Sequence, residues 1–373
     1  MKQRHKIAVV VNPYSGNGKT ARQWPRIGNM IEDLIGEYTF LKTHHPGHAT
    51  DLVRQALREG YDRIISVGGD GTHHEVLNGF FDGLLPINPR AAMAILPMGT
   101  GSDLARTLHM PRGLNAVPHL VSDRVVAADL GRVTFSLRDG GQHFLYFINT
   151  CHIGMGGSVV DCVNRRFKKY GGFLSYFFGV LSTLLTFKNP YLEIEIDGVH
   201  VDQVCRDVII ANGQYDGGGM HVAPNAQIDN GLFDVYVIGD TSRLFSLTHV
   251  SKIYKGRLLE HPEHVRFFRA ARVTARADRQ VLLNLDGEQP GRLPAAIEIV
   301  PKALNVVTAS FEHELVQAER EEDAEAPGRQ LQIAEVPPEP EPAESTPPPG
   351  QATEEERVIE PSARRLAWAF PRR

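Results

Sequence analysis

Short apolar runs alternate with longer amphipathic runs along the first third of the chain. The short runs are rich in Val, Ile and Ala, as buried strands are, and the longer ones repeat apolar residues three and four positions apart, as helices do. The pattern predicts strands at residues 6–11, 39–42, 64–67 and 94–96, and helices at residues 21–34, 49–59, 75–81 and 104–108. Such alternation indicates a parallel sheet with helices on both of its faces.

The periodicity changes after Arg132. Apolar and polar residues now alternate in short segments, as expected for strands with one buried face. Strands are predicted at residues 144–149, 191–196, 208–211, 232–238, 281–285 and 296–300. The chain therefore combines an α/β region with a β-rich region, and its 373 residues are enough for two domains.

A tail rich in Glu and Pro follows Gln317. Residues 318–363 contain 13 acidic residues against 3 Arg, and the last ten residues add 4 Arg. This composition cannot bury enough apolar surface to offset the entropy lost on ordering, so residues 318–373 are predicted to be disordered. The rest of the chain is close to neutral and gives no indication of nucleic-acid binding.

The cysteines and the lack of long apolar runs predict a cytoplasmic protein. Cys151, Cys162 and Cys205 have no CxxC spacing and are predicted to be buried thiols in a reducing compartment. The first apolar run is only as long as a strand and ends at Asn12-Pro13, unlike a signal peptide. No apolar run approaches the roughly 18 residues of a membrane-spanning helix.

Three glycine-containing segments follow three of the predicted strands, at residues 12–20 (NPYSGNGKT), 68–72 (GGDGT) and 97–103 (PMGTGSD). The carboxyl ends of parallel strands lie at one edge of a sheet, so these segments should meet there. Glycine lets backbone N–H groups approach an anion, and the helix that follows adds its dipole. Together the segments predict a polyphosphate site. Taken singly, each is more often a structural turn, the first lacks P-loop spacing, and Asp70 has helix capping as an alternative role.

Further motifs follow in a fixed order, at residues 75–79 (EVLNG), 129–131 (DLG), 149–157 (NTCHIGMGG), 224–235 (PNAQIDNGLFDV) and 285–288 (LDGE). In combination and order, these motifs and the three glycine segments resemble the diacylglycerol kinase catalytic family. That family includes bacterial lipid kinases and the sphingosine and ceramide kinases. The resemblance extends from about residue 6 to about residue 311.

The resemblance implies a two-domain enzyme with its active site in the cleft between the domains. Residues 1–130 would form a nucleotide-binding domain similar to those of phosphofructokinases and NAD kinases. Residues 131–300 would form a β-rich sandwich that binds the lipid, and residues 301–315 would return to the first domain. The implied reaction is transfer of the γ-phosphate of Mg·ATP to a lipid hydroxyl, diacylglycerol first among the candidates. The implied partner is a lipid at the inner face of a membrane, and a homodimer is compatible with it.

The resemblance also assigns roles residue by residue. Asp70 and Asp129 would hold the catalytic Mg²⁺ through water, since this ion keeps several waters and takes few carboxylates. Asp286 or Glu288 would be the base that receives the proton of the attacking hydroxyl. The nucleotide would be held by Asn12, Pro13, Ser15, Gly16, Thr43, Gly68, Gly69, Asp70, Gly71, Thr72, Glu75, Gly99 and Thr100.

Two positions depart from the family pattern. Ser102 stands where the family usually has Asn, and it loses the two donors of the amide. In the loop that holds a structural Mg²⁺, bacterial members tend to have Asp where this chain has Asn230; the other ligands would be the carbonyls of Gln227 and Leu232. A neutral amide is a poorer ligand for Mg²⁺ than a carboxylate, and Asp229 is the alternative.

The segment at residues 165–187 has two interpretations. Its basic start, RRFKK at residues 165–169, precedes an apolar run at residues 171–187 that is too short to span a bilayer. The run is either a core helix of the second domain or an interfacial segment whose basic start touches anionic headgroups.

Two other functions remain alternatives. A kinase of a soluble substrate, such as an NAD kinase, also uses GGDGT but lacks the two later motifs at residues 224–235 and 285–288. A catalytically silent lipid-binding protein would have no need of all four acidic residues, Asp70, Asp129, Asp286 and Glu288. A zinc site is disfavoured, because the chain has no HExxH helix around its candidate ligands, His44, His45, His48, His73 and His74.

Overall fold

The computed structural model describes residues 5–137, 139–167 and 172–309. The predicted tail at residues 318–373, residues 310–315, and Lys168 and Lys169 lie outside the described residues. The first elements in chain order are β1 (Ile7–Val11), α1 (Ser15–Ile35), β2 (Thr39–Lys42), α2 (His48–Arg58), β3 (Arg63–Gly68), α3 (Asp70–Gly79), β4 (Phe81–Asp82), β5 (Leu85–Pro86), β6 (Ala92–Pro97) and α4 (Asp103–Thr107).

Four of these strands form a parallel sheet in the order β2, β1, β3, β6. Every residue of β1, β3 and β6 is buried. Parallel strands covered on both faces are mainly apolar, and the sequence shows these three as mainly apolar runs, although β3 also contains the buried Arg63 and Ser66. The predicted α/β architecture of the N-terminal region is confirmed.

The remaining elements are mostly antiparallel strands, with three helices inserted between them. They are β7 (Val125–Ser136), β8 (Gln142–Phe147), β9 (Thr150–Gly154), α5 (Met155–Cys162), α6 (Gly172–Thr186), β10 (Tyr191–Ile196), β11 (Val199–His200), β12 (Gln203–Ala211), β13 (Tyr215–Asp216), β14 (Met220–His221), β15 (Phe233–Gly239), α7 (Arg243–Tyr254), β16 (Val265–Ala270), β17 (Arg272–Ala277), β18 (Leu283–Leu285) and β19 (Arg292–Val307). The predicted β-rich region is therefore also confirmed.

The long strand β19 belongs to both parts of the fold. Its first part pairs antiparallel with β7 and β17. Near its end, Asn305 and Val306 pair in parallel with Ala92 and Met93 of β6. The domain boundaries at residues 130 and 300 stay predictions, because β7 and β19 each run through one of them.

Some local predictions were wrong. Helix α3 begins at Asp70, whereas the prediction began it at residue 75. The prediction was late because the glycines of GGDGT are typical of a turn. Helix α7 lacks an amphipathic repeat and was missed; its start is capped by Ser242, whose Oγ accepts a hydrogen bond from the Phe245 amide at 3.1 Å. Of the three cysteines predicted to be buried, Cys162 is only half-buried.

Candidate functional site

The three glycine segments meet at the carboxyl edge of the parallel sheet, as predicted. The Asn12 side chain donates a hydrogen bond to the Thr72 hydroxyl at 2.9 Å, which joins the first segment to the second. The Met98 and Gly99 amides donate to the Gly68 carbonyl at 2.6 and 3.1 Å, which joins the third segment to the second. The segments therefore form one connected surface.

The glycines permit this contact because side chains would hold the segments apart. A Cβ on Gly99 would lie 2.6 Å from the Cα of Gly69, and a Cβ on Gly101 would lie 2.6 Å from Oδ2 of Asp70. Separations of this size are shorter than real Cβ contacts. Backbone therefore packs directly on backbone here, and N–H groups of the segments lie where an anion can approach them.

Asp70 connects the second segment to the start of α4. Its carboxylate accepts hydrogen bonds from the amides of Ser102 at 2.7 Å, Asp103 at 2.9 Å and Leu104 at 3.3 Å. Burial raises the pKa of Asp70 despite these three donors, and the nearby Asp286 adds to the rise. Asp70 therefore has the capping role considered for it in the sequence. It caps α4, however, and not α3, the helix that begins at Asp70. The Ser102 hydroxyl donates to the Gly99 carbonyl at 3.3 Å.

Asp103 is a site residue that the sequence reasoning missed. It is buried, pairs with Arg106 at 2.9 Å and accepts a hydrogen bond from the Gly218 amide at 2.7 Å. Burial, followed by the charges of Asp70 and Asp216, raises its pKa to about 7. Asp103 is the last residue of the third glycine segment. Its position in that motif could have identified it, although no role was predicted for it.

Asp286 joins the β-rich part to α3. It adopts a left-handed conformation with φ of 48°, and its carboxylate accepts hydrogen bonds from the amides of Ile148, Asn149 and Thr150 at 2.9–3.0 Å. His74 Nδ1 on α3 lies 3.3 Å from the same carboxylate. Burial alone would lower the pKa of His74, but Asp286 and nearby carboxylates outweigh burial and raise it.

Glu288, the other candidate base, has an exposed side chain beside the second glycine segment. Its Oε1 lies 2.6 Å from the position that a Cβ on Gly71 would take. The DGE turn therefore lies against the start of α3, next to Asp70. The two candidate bases differ in their surroundings, since Asp286 is buried among backbone donors.

A cleft of about 240 Å³ opens between these elements. It brings together predicted site residues from distant parts of the sequence with others that were not predicted. Its polar lining comprises Asp70, Thr100, Asp103, Asn149, Asn164, Asp216 and Asp286. Asp216 precedes the glycines of the β13–β14 hairpin and was not singled out in the sequence.

Other predicted residues support the framework of the site. The Thr43 amide donates to the Val11 carbonyl at 2.9 Å, and the Ser15 hydroxyl donates to the Asn12 carbonyl at 3.0 Å. The Glu75 carboxylate accepts hydrogen bonds from the amides of Gly47 at 2.8 Å and Ala49 at 3.3 Å, at the start of α2. Nucleotide contacts by these residues stay predictions.

Asp129 is surrounded by the loop that was predicted to hold a structural metal. Its carboxylate accepts hydrogen bonds from the amides of Gly231 at 2.6 Å and Lys302 at 2.7 Å. Asn230 is exposed, and its side-chain oxygen accepts from the Leu232 amide at 3.0 Å. The structural Mg²⁺ site at Gln227, Asn230 and Leu232 stays a prediction.

Two family models cover most of this fold. Residues 6–133 match the diacylglycerol kinase catalytic domain, and residues 149–308 match the YegS C-terminal NAD kinase beta sandwich-like domain. The predicted resemblance to the diacylglycerol kinase catalytic family is therefore confirmed.

Relatives in this family extend over nearly the same length. The diacylglycerol kinase of Staphylococcus carnosus is 28% identical over 310 residues, which cover 82% of this chain and 95% of the relative. The diacylglycerol kinase of Bacillus subtilis is 27% identical over 301 residues, covering 80% and 95%. A crystal structure of a diacylglycerol kinase from Bacillus anthracis, 22% identical, has the same fold, with a TM-score of 0.62 over 83% of this chain and 99% of that one. These comparisons identify the chain as a kinase.

An apolar pocket of about 120 Å³ lies in the β-rich part of this kinase. Helices α5, α6 and α7 and strands β12 and β15 form its walls. Its apolar lining includes Val159, Val180, Leu184, Ile209, Val222, Ile238, Phe245 and Ile253. Asp216 lines both this pocket and the acidic cleft, so the two cavities are neighbours.

His152 lies between two carboxylates in the wall of the apolar pocket. Its Nδ1 is 2.8 Å from Asp207 and its Nε2 is 3.2 Å from Asp216, and all three side chains are buried. Burial alone would lower the pKa of His152, but the two carboxylates outweigh it and raise the pKa to about 10. This kinase therefore carries a buried imidazolium at neutral pH.

Among the residues that the structure describes, no helix combines the length and apolarity needed to cross a bilayer.

Substituting Gly99 by Ala should separate the second and third segments. We expect Gly99→Ala to destabilise the fold by about 1–3 kcal/mol, as overpacking does, and to weaken ATP binding by tenfold or more. Gly28→Ala is the control, because a Cβ there would meet its nearest neighbour, Tyr38, at 3.5 Å. Urea unfolding and fluorescent-nucleotide titration measure both effects. Equal nucleotide affinity in the two variants would contradict the role assigned to the Gly69–Gly99 contact.

The buried imidazolium should make stability depend on pH. Its folded pKa of about 10 lies above the usual 6.5, so its contribution is complete below pH 6.5 and is lost as the pH rises through 10. We expect the free energy of unfolding to fall between pH 7 and pH 10 by up to about 1.4 kcal/mol per pH unit. The His152→Gln variant should lose this dependence of the free energy of unfolding on pH. The His200→Gln variant should keep it, because His200 is exposed. Identical slopes in all three proteins would argue against an ionised His152.

Proposed function

We propose that this kinase transfers the γ-phosphate of Mg·ATP to the hydroxyl of a membrane lipid, with diacylglycerol as the first acceptor to test. The observation that carries the proposal is the adjacency of two unlike cavities. An acidic cleft lies beside the glycine segments, an apolar pocket adjoins it, and Asp216 lines both. A hydrocarbon chain in the pocket would bring its polar end into the cleft.

The donor side of the cleft suits a polyphosphate and a divalent cation. Backbone N–H groups of the three connected segments would bind the phosphates. The acidic lining concentrates negative charge, and burial together with the charges of Asp70 and Asp216 raises the pKa of Asp103 to about 7. Mg²⁺, held by Asp70 and Asp103 with water, would neutralise charge on the phosphoryl group during transfer.

Within the described part of the chain, no three His, Cys, Asp or Glu side chains are grouped closely enough to hold a metal by themselves. This arrangement agrees with the coordination habits of Mg²⁺, which takes one or two carboxylates plus phosphate oxygens. A ligand role for Asp129, whose carboxylate accepts hydrogen bonds from the Gly231 and Lys302 amides, stays a prediction.

The acceptor hydroxyl must lose its proton as it attacks. Asp286 already accepts hydrogen bonds from three amides and contacts His74, so its carboxylate is suited to positioning the DGE turn. Glu288 is exposed next to Gly71 and is better placed to take a proton. We therefore assign the base to Glu288 and the positioning role to Asp286.

The apolar pocket favours a lipid over a soluble acceptor. A dinucleotide or a sugar would place polar groups against this apolar lining. An acyl chain would instead gain about 0.8 kcal/mol for each CH₂ group that it buries there. The acidic cleft in turn favours a kinase over a silent lipid carrier, because a carrier has no use for four carboxylates around one cavity.

The acceptor would be reached at the cytoplasmic surface of a membrane. Helices α6 and α7, which wall the apolar pocket, each expose large apolar side chains: Phe178 and Leu185 on α6, and Leu244 and Leu247 on α7. Arg165 and Arg166 precede α6 and can approach anionic headgroups. An interfacial role for this surface would allow the acyl chain to enter the pocket from the bilayer.

Removal of one charge at Asp70 tests the kinase assignment. The shape-preserving Asp70→Asn should reduce transfer from [γ-³²P]ATP to dispersed diacylglycerol by at least a hundredfold, since it weakens the cation site. Circular dichroism should show a folded protein. The assay extends to a total lipid extract, with mass spectrometry of the labelled product. Near-normal turnover of the variant at saturating Mg·ATP would remove Asp70 from the mechanism.

The proposed membrane surface is tested by two matched double variants. Leu244→Ser with Leu247→Ser should weaken sedimentation with anionic vesicles by tenfold or more, because burial of one Leu contributes about 1.5–3 kcal/mol. Leu84→Ser with Leu85→Ser is the control, since these leucines are comparably exposed but lie in the β4–β5 hairpin. If both double variants sediment alike, another surface touches the membrane.

A further inference from the structure

Asn149 is a buried residue in the wall of the acidic cleft, directly before strand β9. Its backbone N–H donates a hydrogen bond to the Asp286 carboxylate at 2.9 Å. Its carbonyl accepts hydrogen bonds from the amides of Asn212 and Gly213, each at 2.8 Å. The backbone at Asn149 is therefore fixed by three hydrogen bonds to distant parts of the sequence.

The Asn149 side chain is held at its oxygen and not at its nitrogen. Oδ1 accepts a hydrogen bond from the Thr107 hydroxyl at 2.8 Å. Gly213 leaves room for this contact, since a Cβ there would lie 2.3 Å from Oδ1. Within the described part of the chain, Nδ2 donates to no protein group, and it is not sealed from solvent. Because Asn149 lines the cleft, this NH₂ group opens into it.

Two other buried amides near the cleft use their NH₂ groups within the fold. Asn212 Nδ2 donates to two backbone carbonyls at 2.9 and 2.7 Å, and Asn78 Nδ2 donates to two others at 3.0 Å. Buried amides that support a fold are bonded in this way. The Asn149 NH₂ makes no such bond, so it is available to a ligand in the cleft.

The cleft has two unlike walls. The glycine segments form one wall, and their backbone N–H groups can bind phosphate oxygens. The β-rich part forms the other wall, which carries the Asp216 and Asp286 carboxylates and the side-chain amides of Asn149 and Asn164. Asn164 is exposed, so Asn149 is the buried amide donor of this wall. A phosphoryl group in transfer carries negative charge on three equatorial oxygens. An oxygen that faced this wall would meet carboxylates unless the Asn149 NH₂ received it.

We propose that Asn149 is a catalytic residue whose NH₂ group donates a hydrogen bond to a non-bridging oxygen of the γ-phosphoryl group during its transfer. In that step the acceptor oxygen bonds to the γ-phosphorus, the bond from this phosphorus to the β–γ bridging oxygen breaks, and ADP leaves. The acceptor proton passes to Glu288. Asn149 exchanges no proton and stabilises the charge of the phosphoryl group from the β-rich wall. This inference rests on the proposed transfer of a γ-phosphate in the cleft, but not on a particular acceptor.

Two variants remove the NH₂ group in different ways. Asn149→Ala removes the whole amide, whereas Asn149→Asp keeps the oxygen that accepts from Thr107. With dispersed diacylglycerol as acceptor, we expect kcat to fall at least a hundredfold in both, because loss of one such donor costs about a hundredfold to a thousandfold. The Kd for Mg·ATP of Asn149→Ala, measured by calorimetry, should stay within threefold of the wild-type value.

Two controls separate the NH₂ group from its surroundings. Thr107→Val breaks the same hydrogen bond to Oδ1 but keeps the NH₂, and its kcat should fall less than tenfold. Asn164→Asp adds a carboxylate at an exposed position of the same cleft, and its kcat should stay within threefold of the wild-type value. If Asn149→Ala and Thr107→Val lose the same activity, the amide is merely structural and the inference is overturned. It is also overturned if Asn149→Ala raises the KM for the lipid and leaves kcat unchanged.

A binding measurement separates this inference from the lipid kinase proposal. Mg·ADP with aluminium fluoride imitates a phosphoryl group in transfer and requires no lipid turnover. Aluminium fluoride should tighten ADP binding to the wild type at least tenfold more than ADP binding to Asn149→Ala, whereas both should bind Mg·ADP alone equally well. If this difference is found but no lipid is phosphorylated, the lipid kinase proposal fails and the donor role of Asn149 stands. If aluminium fluoride tightens ADP binding equally in both proteins, or in neither, the donor role is refuted.

Discussion

The contact between the backbones of Gly69 and Gly99 is the constraint on which the site depends. Two loops that follow neighbouring strands touch there without intervening side chains, and the Gly68 carbonyl receives two amides of the third segment. The distance between β3 and β6 in the sheet sets this approach. Any larger residue at these positions would push the second and third segments apart and displace Asp70 from the start of α4.

Carboxylates that accept backbone amides hold the remaining parts together. Asp70 fixes α4, Glu75 fixes the start of α2, and Asp286 fixes the chain between β8 and β9. Asp129 does the same for the loop around Gly231. Each of these hydrogen bonds joins residues that are far apart in the sequence. The acidic residues that resemble metal ligands in the motifs therefore also hold the motifs in place in the fold.

Much of the fold could be predicted from periodicity, and much of the site from the order of motifs. The buried strands β1 and β6 are continuous apolar runs, β3 is mainly apolar, and the glycine segments follow these strands directly. Helix α7 could not be found in this way, because its apolar residues do not repeat at helical spacing. Asp216 and His152 were missed for a different reason. Their significance comes from the ion pair between His152 on β9 and Asp216 on β13, and no local pattern in either strand indicates that contact.

The shared strand β19 limits how the enzyme can move. Its pairing with β7 shifts register between Val300 and Leu304, yet the strand continues into the parallel sheet beside β6. Opening the cleft as a hinge would require a hydrogen-bonded ribbon to bend or break. The tip of the β13–β14 hairpin, formed by Gly217, Gly218 and Gly219, is outside that ribbon and is held across the cleft by the hydrogen bond from the Gly218 amide to Asp103. In the proposed reaction, an acceptor that enters the cleft past this tip would have to break one hydrogen bond rather than bend the ribbon.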